Sequence, residues 1–305
     1  MVPGHATLNI AVFTKNRINP AYAGARLGAE RVASRFGARV THYVPEVPDS
    51  PEEQSALIDR ALSERPDAFV FVPVHPTAVN GAIQKINESG IPLFGFVNQL
   101  TAGRCESFVS SDDYALAADV ARYVYGELDG KGIVVIVGGP ADSVTSQPRV
   151  QAFIDVAQDF PDIQVVGACE GAFLREPARQ AMSALLPGLD RVDAVLAAND
   201  SMALGVLDAL DARGRRALVA GINAVPEAIE AIKAGRMIAT ADFNAMDMAA
   251  IATECAVRYL QGEAVPEEIM LPVRVIHGGN CAAWDKPFEE RSLPDWWNVV
   301  RSSPA

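Results

Sequence analysis

The residues best placed to do chemistry are side-chain amides. Asn199 and Asn223 each close a short apolar run, 193–197 and 217–220, of the length of a buried strand. Asn199, Asp200 and Ser201 are all helix-capping types. From Met202 onward Leu204, Leu207 and Leu210 recur at helical spacing, with Ala203 and Val206 beside them, until Gly214 ends the pattern. The stretch 193–223 therefore reads as strand, helix, strand. It leaves one amide just past the carboxyl end of each of two neighbouring parallel strands, which is where open α/β sheets bind ligands. An amide offers a donor and an acceptor, as a hydroxyl does, so the two match one another. The plainer reading of Asn199, a helix cap, uses the same side chain.

Little else reads as reactive. His5, His42, His75 and His277 are far apart and lack motif partners. There is no G-x-S-x-G, P-loop or H-E-x-x-H pattern, and GGPADS lacks the Lys-Ser/Thr of a phosphate cradle. No catalytic residue, metal site or cofactor is expected. Cys105, Cys169, Cys255 and Cys281 have no metal-type spacing and read as inert thiols; an oxidising compartment would permit a disulfide without sequence assigning the pair. A net charge of -12 over 305 residues argues against nucleic acid as a partner. No apolar run is long enough to span a bilayer. No export leader is visible before the first strand, so an exported protein would be represented here in its mature form.

The elements that must position the amides alternate. Strands are expected at 8–14, 39–44, 68–72, 92–97, 133–137, 163–168, 193–197, 217–220, 237–241 and 269–276. Helices are expected after Pro20 and Pro51, over 75–89, from Asp112 to about Leu128, through 153–160 and 177–186, from Met202, and over 245–260. Alternating strands and helices imply doubly wound parallel sheets. AFVFVPVHPTAVNGAIQKINESGIPLFGFV echoes AVLAANDSMALGVLDALDARGRRALVAGIN, which implies two similar lobes. The tail 277–305, with Trp284, Trp296 and Trp297, reads as a wrap packed on the surface, Trp284 being the residue that could cover the site.

AANDSMALGVLDAL followed by a strand ending in GIN resembles the second lobe of the ribose-type periplasmic sugar-binding proteins, the type I solute-binding proteins of ABC importers. Lac-repressor-type effector domains share that fold. The resemblance implies an α/β architecture of two similar doubly wound parallel-sheet lobes joined by a three-segment hinge near Ser111, Phe243 and Leu271. One lobe would be 1–111 plus 244–271, the other 112–243 plus 272–305. It also implies the site. INPAYAG is similar to the family's Asn-Asn-Pro-aromatic-aromatic loop, so Asn19 and Tyr22 would face the ligand, with Asn16 in the same loop and Ala21 leaving space. Val97 and Asn98 stand where an Asp-Arg pair would close strand four. Gln147 stands for an Arg, and Arg149 keeps the Arg that follows it. Phe173 matches an aromatic and Asn199 the strand-end Asn. Asn223 replaces an Asp. Phe243 replaces a Gln, with Asp242 and Asn244 beside it.

These departures exchange charges for amides, and charge-assisted hydrogen bonds are about twice as strong as neutral ones. The implied ligand is a small neutral sugar or sugar alcohol, its C–H faces covered by Tyr22, Phe173 and Phe243. The charges of Lys15 and Arg149 are expected in solvent. Asp112 is expected as a structural helix start. The resemblance further implies a monomeric periplasmic protein that delivers its ligand to an ABC permease, without nucleic acid. The alternative, a ligand-sensing effector domain of a lac-repressor-type regulator, would need a DNA-binding segment before Leu8.

Overall fold

The computed structural model describes residues 7–302; His5 lies outside the described residues. The chain opens with β1 (Asn9–Phe13), α1 (Pro20–Arg35), β2 (Arg39–Tyr43), α2 (Pro51–Glu64), β3 (Ala68–Phe71), α3 (Asn80–Glu88), β4 (Leu93–Phe96) and β5 (Ser107–Ser110). It continues with α4 (Asp113–Glu127), β6 (Lys131–Gly138), α5 (Ser146–Ala157), β7 (Asp162–Glu170), α6 (Arg175–Leu185), β8 (Ala194–Ala197), α7 (Asp200–Asp211), β9 (Leu218–Ala220), α8 (Pro226–Lys233) and β10 (Ala239–Ala241). Then come α9 (Ala245–Leu260), β11 (Glu268–Met270), β12 (Val275–His277) and α10 (Trp296–Ser302).

Local chemistry sets the helix starts. Ser50 accepts the Glu53 amide at 3.2 Å, Pro51 fills the first turn, and Glu52 and Glu53 face the positive end of α2. Asp112 caps α4 by accepting the Ala115 amide at 2.8 Å. α3 starts at Asn80, later than apolar spacing predicts. The His75 ring accepts the amides of Thr77 and Ala78, both at 3.1 Å, and so holds 75–79 as a turn.

Two sheets form, ordered β11-β5-β4-β3-β1-β2 and β12-β10-β9-β8-β6-β7. The pairings are parallel except β10 with β12. The five strands that begin each half stand in the same spatial order, second, first, third, fourth, fifth. The echo in sequence is thus an echo in topology, and each sheet has its switch point between the first and third strands, where a crevice opens at their carboxyl ends. β3, β4 and β8 are buried at every position, as strands covered on both faces are. Phe13 packs on Tyr43, Phe69 and Phe71 at ring distances of 4.8, 5.8 and 5.3 Å.

Two strands differ from the sequence reading. β5 went unread because two of its four residues are serines, which break the apolar run. The single strand expected over 269–276 is two: β11 pairs with β5 in the first sheet and β12 with β10 in the second. Pro272, between them, has no amide to donate to a ladder.

The chain divides into two compact units. The first comprises the described residues up to Ser111, Ala245–Leu271 and the tail from Ser292; the second is Asp112–Asn244 and Pro272–Arg291. The end of the tail therefore belongs to the first unit, against the expectation that all of 272–305 joins the second. Arg258 of α9 is the reason. Its guanidinium lies 4.8 and 5.4 Å from the Trp296 and Trp297 rings while it bonds Glu254 and Glu263 at 2.7 and 2.8 Å. The chain passes between the units four times rather than three. All four cysteines are free, and burial pushes the Cys255 thiol up to about 12.

α1 and α9 meet at Gly28, where a Cβ would lie 2.3 Å from the Met246 carbonyl oxygen, a backbone atom unable to turn aside. Gly126, in α4, has nothing within 4 Å of its Cβ position. Gly28→Ala is expected to cost about 1–3 kcal/mol through overpacking. Gly126→Ala should leave stability unchanged or raise it by up to about 1 kcal/mol through helix propensity. Denaturant melts of the two variants check the contrast.

Candidate functional site

In the first unit, the loop after β1 is braced from within. Asn16 Oδ1 accepts the Asn19 amide at 2.8 Å and its Nδ2 donates to Asp49 at 3.3 Å. Asn19 Oδ1 accepts the Ala21 amide at 3.0 Å, capping α1, with Pro20 in the first turn. Arg26 donates to Thr14 Oγ1 and to the Asn16 carbonyl at 3.0 and 3.2 Å. Tyr22 is buried. Lys15 is buried too, with its Nζ 3.9 Å from Asp49, so it is not the solvated charge expected. Asn98 donates to the Pro73 carbonyl at 3.0 Å, which ties the end of β4 to the end of β3. Val97 sits at φ 65°, with the Asn98 amide donating to the Phe96 carbonyl at 2.8 Å. A left-handed γ-turn centred on a β-branched residue is strained. The conformation suits an Asp better than a Val.

In the second unit, Arg149 is 3% exposed. Its Nε donates to Asp113 at 2.6 Å, its Nη1 to the Ala198 carbonyl at 2.7 Å, and its guanidinium lies 4.4 Å from the centre of the Phe243 ring. Here the expectation of a solvated charge is corrected. A carboxylate, a carbonyl and an aromatic face together replace the water. Burial raises the Asp113 pKa, and Arg149 opposes the rise. Asn199 Oδ1 accepts the Met202 amide at 2.8 Å and caps α7, while its Nδ2 donates to the Phe173 carbonyl at 3.0 Å. Asn199 is thus a cap that also clamps the next loop. Phe173 follows Ala172 at φ 58° and 50°, and its ring lies where a Cβ on Gly139 would come within 2.4 Å of it. Asn223, at φ 128°, donates its backbone N–H to the Ala241 carbonyl at 2.8 Å. The Phe243 amide reaches the same carbonyl at 2.9 Å. Asn223 Oδ1 is buried without a hydrogen-bond partner.

The structure therefore brings Arg149, Phe173, Asn199, Asn223 and Phe243 to one sheet edge through direct contacts or shared carbonyls. It does not bring Gln147 with them. Gln147 is exposed and its amide donates to the Ala141 carbonyl at 2.5 Å. It lines a cavity of about 710 Å³ with Tyr114, Gly139, Val150 and Cys169, among whose walls neither Arg149 nor Asn199 nor Phe243 appears. α5 begins at Ser146, which turns Gln147 and Arg149, two residues apart, to different sides of the helix.

Sequence reasoning missed Asp200 as a clamp. Its carboxylate accepts Thr240 Oγ1 at 2.6 Å and the Val225 amide at 3.0 Å, joining the ends of β9 and β10. Gly221 leaves room for it, since a Cβ there would lie 2.3 Å from Asp200 Oδ1. The Asn-Asp pair was a signal, but its Asp was read only as a capping type. Arg291, which donates to the Ala224 carbonyl at 2.9 Å, had no local signal. Among the described residues no group of three or more His, Cys, Asp or Glu could hold a metal ion, and no helix is long and apolar enough to cross a membrane.

A family profile described as "Periplasmic binding protein domain" matches residues 10–264. The chain belongs to the periplasmic binding protein family. Members of this family are solute-binding transport proteins, not enzymes. This periplasmic binding protein is 28% identical over 88% of its length to the ribose import binding protein of Bacillus subtilis, 86% of which is covered. It is 29% identical over 61% of its length to a xylitol-binding protein of Mycolicibacterium smegmatis, 54% of which is covered. Among solved structures it is similar to an ABC transporter periplasmic solute-binding protein from Actinobacillus succinogenes with bound D-allose. There the TM-score is 0.85 at 25% identity, with 90% of this chain and 99% of that one covered.

Burial raises the Asp200 pKa from 3.8 to about 6. Between those values the folded chain binds a proton that the unfolded chain does not, so this group's stabilisation is complete below about pH 4 and lost as pH rises through about 6. Asp200→Asn removes that titration. The stability of wild type relative to the variant is expected to fall by up to about 3 kcal/mol between pH 4 and 7, measured by urea melts across that range.

Proposed function

We propose that this periplasmic binding protein captures a small neutral sugar or sugar alcohol by hinge closure and delivers it, as a monomer, to the membrane permease of an ABC importer. One observation carries the choice of a neutral ligand. Two buried cations at the carboxyl edges are already answered by carboxylates, Arg149 by Asp113 and Lys15 by Asp49, while the strand-end positions are amides, Asn98 and Asn223. Amides serve hydroxyls as donor and acceptor alike. An anionic ligand would have to compete with Asp113 or Asp49 for its counter-charge. The relatives named for ribose and xylitol, and the structural neighbour holding D-allose, concern ligands of this polyhydroxylated class. Asn16, Asn19, Tyr22 and Asn98 would serve it from the first lobe, and Arg149, Phe173, Asn199, Asn223 and Phe243 from the second. Bound ligand favours the closed form through its differential affinity for it. Export under a leader belongs to the same reading.

A melting screen against D-ribose, D-allose, xylitol and D-ribonate tests it. Ligand at about a thousand times its Kd adds about 4 kcal/mol of stability, which moves the melting point by several degrees. A shift by a neutral member, with a smaller radius of gyration in solution scattering, is the expected result. A shift by D-ribonate alone would overturn the neutral assignment, and a bound ligand without compaction would overturn closure.

A further inference from the structure

We infer that the tail segment 278–291 forms part of the second lobe's ligand site, with Asp242 accepting a ligand hydroxyl and Trp284 and Arg291 as its positioning residues. The inference rests on the solute-binding reading above.

The segment lies beyond the span matched by the family profile, which ends at residue 264. It is nonetheless built tightly onto the second unit. Asn280 closes the turn after β12, accepting the His277 amide at 2.8 Å and donating to the Val275 carbonyl at 3.0 Å. Asp285 pairs with Lys233 of α8 at 2.8 Å. Arg291 is 7% exposed and gathers the segment around itself. Its Nε donates to the Lys286 carbonyl and its Nη2 to the Trp284 carbonyl, both at 3.0 Å, and its guanidinium lies 4.8 Å from the Phe288 ring centre. Its Nη1 donates to the Ala224 carbonyl at 2.9 Å.

Two of the points where this strap touches the lobe adjoin candidate ligand residues. Ala224 follows Asn223. The Trp284 indole N–H donates to Asp242 Oδ2 at 3.0 Å, and Asp242 lies between Ala241, whose carbonyl accepts the Asn223 backbone N–H, and Phe243, whose ring lies under Arg149. The strap thus fixes both corners at the ends of β9 and β10.

It fixes them with acceptors left over. Asp242 Oδ1 and Asn223 Oδ1 are both buried without a hydrogen-bond partner. Such oxygens are costly to bury unless something donates to them. Two acceptors on adjacent strand ends call for a ligand with two or more hydroxyl donors. The Trp284 bond directs one Asp242 oxygen away and leaves the other for that ligand; burial raises the pKa of this carboxyl, while the Trp284 bond and the charges of Arg291 and Arg274 favour its ionised form. A hydroxyl donating to a carboxylate makes the stronger, charge-assisted kind of bond, while a sugar acid would meet a like charge there.

The chain has three tryptophans, so the full-length Trp296→Phe/Trp297→Phe variant reports on Trp284 alone. The probes are D-ribose, xylitol and D-ribonate. Binding of D-ribose or xylitol should shift the Trp284 emission. Trp284→Phe should weaken that binding about tenfold or more, the cost of an unsupported charged acceptor, with the melting point of the free protein little changed. Trp297→Phe, on the exposed end of the tail, should leave affinity as it was. Asp242→Asn should narrow the preference for D-ribose over D-ribonate by about tenfold, a change that a purely structural role would not produce. If wild type binds a probe while Trp284→Phe and Asp242→Asn bind it as wild type does and Trp284 emission stays silent, the inference alone is overturned. If wild type binds none of the probes, the reading of a small neutral sugar or sugar alcohol as ligand falls, and this inference with it.

Discussion

The second lobe depends on a guanidinium that water does not reach. Burying Arg149 without partners would cost several kcal/mol after relaxation. The answer comes from three separate elements: Asp113 in the first turn of α4, the Ala198 carbonyl just past β8, and the Phe243 ring just past β10. Each must arrive at its place for the charge to be tolerated. The cation therefore specifies the arrangement of the carboxyl edge more than it stabilises the lobe, since a buried pair does little better than apolar residues of equal volume. Asn199 extends the arrangement by one residue. It follows Ala198, caps α7 and holds the Phe173 carbonyl, so the aromatic loop is registered to the same edge.

Strain collects at these edges. Val97, Ala172, Phe173, Asn223 and Ala224 all have positive φ, and each follows the carboxyl end of a strand. A parallel strand that ends at a crevice must turn sharply toward its helix, and left-handed residues make that turn short. Glycine would do so at no steric cost. Side chains occupy these corners instead, held there by their surroundings: Val97 by burial, Phe173 by the space over Gly139, Ala224 by Arg291. Side chains in such corners are what a binding edge requires, because a glycine there would present nothing to a ligand.

The sheets were legible because their central strands are unbroken apolar runs, and the internal echo made two lobes readable without a structure. What escaped was whatever depended on distant partners. SFVS reads as a loop until β4 and β11 flank it. The run 269–276 reads as one strand because nothing local says that its halves belong to different sheets. Arg149 looks like any surface arginine, since its carboxylate lies 36 residues earlier. Lys15 hides in the same way. Asn199 was legible twice, as a cap and as a strand-end amide, and its geometry serves both. Gln147 was placed by alignment of types alone. The helical phase that separates it from Arg149 requires knowing where α5 begins.

The tail shows how a site can acquire residues from outside its core. A strap that merely covered apolar surface would have no reason to spend its one buried guanidinium on the carbonyl of a left-handed corner, or an indole N–H on a carboxylate with an oxygen to spare. Cheaper partners exist at any surface, where water serves. Both donors instead go to the residues flanking β9 and β10, where a small displacement would move Asn223 or Phe243. Position there is what discriminates between ligands of similar composition, because an unpaired buried acceptor penalises any ligand that fails to reach it. The same geometry binds the strap's own folding to that edge: Arg291 satisfies the carbonyls of Trp284 and Lys286 with the same group that holds Ala224, so the segment cannot loosen without releasing the corner.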